Sequence, residues 1–155
     1  MKDTFLGSVA IEWLGVHYKI ILRTADTGGA ISVTDSVSPP NSGPPRHVHH
    51  NADETFVVLT GDVEFWMEGA RFARDPRQSF SIPRSNEHTF RIVSDTPSRH
   101  LVVLTPGGFE GFFAEMAEGQ YAISDVMPKI AESAARFDMN FTGPPLGSCD
   151  AEDAP

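Results

Sequence analysis

The chain has 155 residues, 40% of them hydrophobic, which suits one domain with its own core. A formal charge of -9 makes nucleic acid and anionic membrane poor partners, and the densest basic stretch, Arg71, Arg74 and Arg77, is interrupted by Asp75. No run approaches the roughly 20 apolar residues of a membrane span, and the lone Cys149 permits neither an intrachain disulfide nor a thiolate metal site.

Taken from the start, Met1-Lys2-Asp3-Thr4 leads into a mixed segment unlike a signal peptide, so a cytoplasmic protein is expected. Glycines (13) and prolines (12) then break the apolar stretches into short strands, the pattern of a sandwich or barrel. Strands are predicted over 17–22 and 30–37, the latter alternating Ile31 and Val33 with Ser32 and Thr34. The proline-rich segment 39–45 is a loop, because proline donates no ladder hydrogen bond. Residues 55–60 and 63–67 read as a hairpin about Gly61-Asp62, pairing Thr60 with Val63, Val58 with Phe65 and Phe56 with Met67. Glu64, Trp66 and Glu68 then lie on the other face, Trp66 being either an interface residue or covered by the N-terminal strand or a C-terminal helix. Further strands are predicted over 79–82, 89–93 and 100–105.

After residue 106 the period changes. Phe109, Phe112, Phe113 and Met116 form a helical stripe, and Val126, Ile130, Ala134 and Phe137 form a second, with Asp125 as its cap and Pro128 in its first turn. Both stripes read as core packing. One domain over 1–142 is expected, with a barrel core at 17–106, helices at 109–138 and a loose tail over 143–155.

Four histidines fall in or near two short windows. His47 and His49 are two apart, so on a strand they share a face. Glu54 comes five residues later, an odd spacing that requires a turn at 50–53 before it can join them. Its parity matches Phe56 and Val58, where a carboxylate is costly to bury unless an ion neutralises it. A proline-led turn at Pro83 delivers His88 to the start of a strand, in phase with Phe90 and Ile92. Three imidazoles and one carboxylate suit a single divalent transition metal (Fe, Ni, Mn, Co, Cu or Zn) rather than Ca or Mg. An octahedral ion keeps two open positions. His50 reads as a turn residue, and His17 and His100 read as ordinary strand-edge histidines.

These windows resemble the paired motifs of the cupin superfamily. His47, His49, Glu54 and Gly61 match the first, with Asn41 in place of its leading glycine. Pro83 and His88 match the second, where Arg77 and Ser85 replace glycines and Ile92 replaces asparagine. The resemblance covers about residues 30–106 and implies an all-β double-stranded β-helix (jelly-roll) barrel, followed here by the two helices. Segments 43–47 and 104–113 look like single-domain cupins similar to quercetin 2,3-dioxygenase. That likeness implies a small aromatic or enolic substrate, dioxygen as candidate co-substrate, Glu54 as the base that takes the substrate proton, and a homodimer. The expected substrate wall is Phe56, Val58, Phe65, Met67, Phe90 and Ile92. A cupin isomerase or lyase, or a binding module without catalysis, would use the same site.

Overall fold

Short strands divided by glycine and proline pair into two antiparallel sheets in the computed structural model, which describes residues 10–121 and 123–147. The strands are β1 (Ile11–Trp13), β2 (Val16–Leu22), β3 (Ser32–Ser38), β4 (Pro45–His49), β5 (Asp53–Thr60), β6 (Val63–Met67), β7 (Ala70–Arg74), β8 (Ser79–Ile82), β9 (His88–Ile92), β10 (Ser98–Thr105) and β11 (Met139–Pro145). Helices α1 (Glu110–Gly119) and α2 (Ile123–Arg136) lie between β10 and β11. One sheet has the order β1-β2-β3-β10-β5-β8 and the other β11-β4-β9-β6-β7. Their facing sides bury Phe56, Val58, Phe80, Ile82 and Val102 from the first sheet against Val63, Phe65 and Ile92 from the second. A second apolar cluster joins Phe109, Phe112, Met116, Ile130 and Ala134 to Trp13, Leu104 and Met139. No helix among the described residues is long and apolar enough to cross a membrane.

The predicted hairpin over 55–67 does not form. β5 pairs with β10 and β8, whereas β6 pairs with β7 and β9, so the turn at Gly61-Asp62 carries the chain from one sheet to the other. Asp62 is captured there: Ser94 Oγ accepts from its N–H at 3.0 Å, and its carbonyl accepts from Val93 at 3.0 Å. Gly61 has φ +76°, and a Cβ on it would stand 2.9 Å from Ser98 Cα, so this crossing needs glycine. Phe56, Val58 and Phe65 still reach one core, but from opposite sheets. The two-residue hairpin lies one strand later, at Glu68-Gly69, where both φ values are positive (48° and 87°).

On β3 the alternation holds: Ser32, Thr34, Ser36 and Ser38 share a buried face, and Ser36 and Ser38 border a cavity. Three other expectations change. α2 begins at Ile123, so Asp125 lies inside it and Pro128 is past the first turn; an N-terminal proline stripe alone could not locate the start. The tail is ordered through Pro145, since β11 pairs with β4 and extends the barrel beyond residue 106; positions 148–155, Cys149 among them, lie outside the described residues. Trp66 is 5% exposed, covered neither by the N-terminal strand nor by a helix but by the Arg46 guanidinium of β4, 4.0 Å from the ring centre.

Asn41, Arg77 and Ser85, which stand where the resembling motifs have glycine, all keep the left-handed backbone (φ 63°, 72° and 69°). That conformation costs a residue with a Cβ roughly 1–2 kcal/mol. Ser85 is exposed, and its N–H donates to His49 O at 2.7 Å, a bond that glycine keeps. A Ser85→Gly variant is therefore expected to gain about 0.5–1 kcal/mol in urea unfolding, the greater freedom of unfolded glycine offsetting part of the relief. A loss of stability would show that the left-handed turn is not strained by serine.

Candidate metal centre

β4 and β9 meet in register at a single pair, His47 opposite His88. His49, two residues along β4, shares their inward face, and all three rings are buried. Glu54 arrives from the other sheet, at the second position of β5, where it faces Leu104 and Ile82 on its flanking strands. The turn over 50–53 that the spacing required is present. His50 is exposed there, and its N–H donates to Asp138 O at 2.9 Å. One ligand atom from each of His47, His49, Glu54 and His88 lies within 4.8 Å of all the others.

The surrounding bonds orient these groups inward. His47 Nδ1 is 2.8 Å from Pro45 O, and His88 Nδ1 is 2.8 Å from Asn86 O. A ring that donates from Nδ1 to a carbonyl leaves Nε2 as the lone-pair ligand atom. Glu54 Oε2 lies 2.9 Å from His88 Nε2 and 3.2 Å from His49 Nε2. The His49 contact is close but misaligned, and its buried Nε2 makes no hydrogen bond. Such an orphaned nitrogen facing a carboxylate fits a cation between them. Burial, followed by the charges of His88 and His49, pushes His47 well below its ordinary pKa, which keeps it a neutral ligand. Burial alone would raise Glu54, but His49 and His88 beside it outweigh that and hold the carboxyl well below the usual range. These four residues could hold one metal ion.

The cluster opens onto a cavity of about 410 Å³. Of the six side chains expected to form the substrate wall, Phe56 and Phe90 line it. Val58, Phe65 and Ile92 are instead fully buried in the apolar core between the sheets, with Met67 packed against that core. Inward parity identified the right face, but not which positions along it border empty space. The rest of the apolar wall comes from Trp13 and Tyr18 near the N-terminus, from Phe109, Phe112 and Phe113 at α1, and from Phe141 on β11. Among the described residues that line it, Glu54 is the only carboxylate and there is no lysine or arginine.

His100 also lines this cavity, 2% exposed, with its ring 5.7 Å from Phe56 and 5.6 Å from Phe90. It is no strand-edge histidine. The period-two set His100, Val102, Leu104 carried the signal, since all three are buried on one face of β10. Burial lowers its pKa to about 4, with Asp35 and Glu54 pulling weakly the other way. Between an ordinary pKa of about 6.5 and that value, the unfolded chain binds a proton that the folded chain does not. The contribution is therefore complete above pH 6.5 and declines as pH falls towards 4, by about 3 kcal/mol in all. Urea unfolding at pH 7.5 and 4.5 checks this. The wild type is expected to lose about 2–3 kcal/mol more than His100→Phe, and equal losses would contradict a buried neutral ring.

With this geometry in view, the fold defines the class: two antiparallel sheets form a jelly-roll barrel of the cupin type, and residues 36–104, a little under half of the chain, match the family model for the cupin domain. The chain is 28% identical over 101 residues to quercetin 2,3-dioxygenase of Bacillus subtilis (strain 168), an alignment covering 65% of this chain and 30% of that enzyme's length. The structure is similar to KdgF from Halomonas sp., at TM-score 0.60 and 17% identity, covering 67% of this chain and 93% of that one. It is also similar to the Schizosaccharomyces pombe Cnp3 cupin domain, at TM-score 0.57 and 15% identity, covering 68% and 70%. At such identities the two structures speak for the fold alone.

Proposed function

We propose that this protein is a metal-dependent dioxygenase acting on a small, uncharged aromatic or enolic compound. The observation that carries the reading is the cavity itself: about 410 Å³, walled largely by aromatic rings, without lysine or arginine among the described residues that line it, and reaching His47, His49 and Glu54 of the candidate metal cluster. Beyond the ion itself, an anionic substrate would find no lysine or arginine among the described lining residues to pair with a second charge, which favours an uncharged one. The similarity to quercetin 2,3-dioxygenase supports the same chemistry.

His47, His49, His88 and Glu54 would hold the ion, and the mixed nitrogen and oxygen set suits Fe, Mn, Ni, Co, Cu or Zn. A divalent transition metal supplies Lewis acidity towards an enolic hydroxyl and, where it is redox-active, chemistry with dioxygen. Glu54 accepts the hydroxyl proton, a transfer a carboxylate can make once an ion would have acidified that hydroxyl. The aromatic walls exclude water and hold a planar ring edge-on or stacked. Metal-loaded protein screened against flavonols, catechols and diketones in an oxygen electrode is expected to consume dioxygen in step with substrate loss. Turnover without oxygen uptake would replace this reading with an isomerase or lyase. Tight binding of a compound without turnover would make the protein a binding module.

A further inference from the structure

Far from the metal cluster, the cavity wall is polar. β3 and β10 place Ser36 directly opposite His100, both on the inward face, and both line the cavity. Ser36 is 1% exposed, and its Oγ has no hydrogen-bond partner. A buried hydroxyl left unpaired is costly, and a ligand that completes the bond recovers that cost. The His100 ring has only Ser98 Oγ near it, 3.3 Å from Nδ1, and at neutral pH an uncharged imidazole offers one donor and one acceptor. On the outer face, Arg99 and Asp35 tie the same two strands together with a 2.7 Å ion pair, which fixes the pair's register.

The register also sets the distance. Leu104 lies opposite Glu54, and His100 is four residues earlier on β10, so the two backbones are roughly 14 Å apart at about 3.4 Å per residue. Val102 and Phe56, opposite one another, form the apolar floor between them. We propose that Ser36 and His100 form a second anchoring point, which takes an uncharged hydroxyl or carbonyl at the end of the substrate remote from the metal-ligand cluster. The substrate class narrows accordingly to extended, flat, two- or three-ring compounds with a chelating oxygen at one end and a neutral polar group at the other. This deepens the function proposed above and rests on it for the chelating end.

The test compares two probes that differ by one remote hydroxyl, 3-hydroxyflavone and 3,4′-dihydroxyflavone, by calorimetric titration of the full chain, metal-loaded and after chelation. Wild-type protein is expected to bind the dihydroxy probe three- to tenfold more tightly, as one neutral hydrogen bond allows. Ser36→Ala and His100→Phe should each bring that ratio close to one, and His100→Gln should restore part of it. If His100→Phe does not fold, Ser36→Ala carries the comparison alone. A wild type that does not discriminate, a ratio unchanged in both variants, or failure of both probes to bind overturns the proposal. Oxygen uptake is read separately. A ratio that collapses in the variants without any oxygen consumption rejects the dioxygenase and keeps the anchoring point; oxygen consumption with an unmoved ratio does the reverse.

Discussion

Replacing Glu54 by glutamine is expected to cost at least about a hundredfold in turnover, the usual loss when a general base is removed. Glutamine is nearly isosteric and keeps an oxygen that can face His88 and His49, so the shape of the site survives. What disappears is the negative charge and the capacity to take a proton. Metal content by elemental analysis must accompany the rate, because the carboxylate is also a proposed ligand. A variant that keeps its metal and turns over at the wild-type rate rules Glu54 out as the base. A variant that loses both metal and activity is separated from that case by reloading with excess ion, after which the rate is measured again.

The second large effect lies away from the site. Phe65→Ala is expected to destabilise the fold by about 3–5 kcal/mol, or about 10 °C in Tm. Phe65 is 0% exposed and stacks on Phe80 at 4.6 Å, with Phe56 at 5.1 Å and Phe90 at 6.0 Å. These rings come from both sheets, so the ring fills the space between layers, and no neighbour can collapse into the gap without parting them. Phe56 and Phe90 also line the cavity, which couples this core to the site. Urea unfolding gives the number, and a loss under about 1 kcal/mol would mean that the core repacks freely.

The convergence of His47, His49, Glu54 and His88 could be read from the sequence because it depends mainly on strand parity and one turn. His47 and His49 at a spacing of two must share a face, and the odd step to Glu54 demands a turn; both statements hold whichever sheet each strand joins. Partners of strands are another matter. Gly61-Asp62 supplies a left-handed glycine, which serves a hairpin and a crossing between sheets equally well, and the choice falls to Ser94, Val93 and Ser98, some thirty residues on. The two left-handed residues at Glu68-Gly69 were the better local sign of a hairpin, hidden because glutamate seldom takes that conformation. Which face of β3 turns inward was open for a related reason: alternation identifies two faces without ranking them, and the polar one, with Ser36 and Ser38, borders a cavity. Where the resembling motifs expect glycine, Asn41, Arg77 and Ser85 preserve the backbone while changing the letter, so residue identity understated the likeness and the dihedral angles restored it.

The three histidines belong to one layer of the barrel and Glu54 to the other. A cation held by all four would act as a rivet through both layers, adding to stability according to its concentration over its dissociation constant. Chelation should then lower the melting temperature as well as abolish chemistry. Any compound that wedges the layers apart would weaken the grip on the ion, and one that lets them close would tighten it.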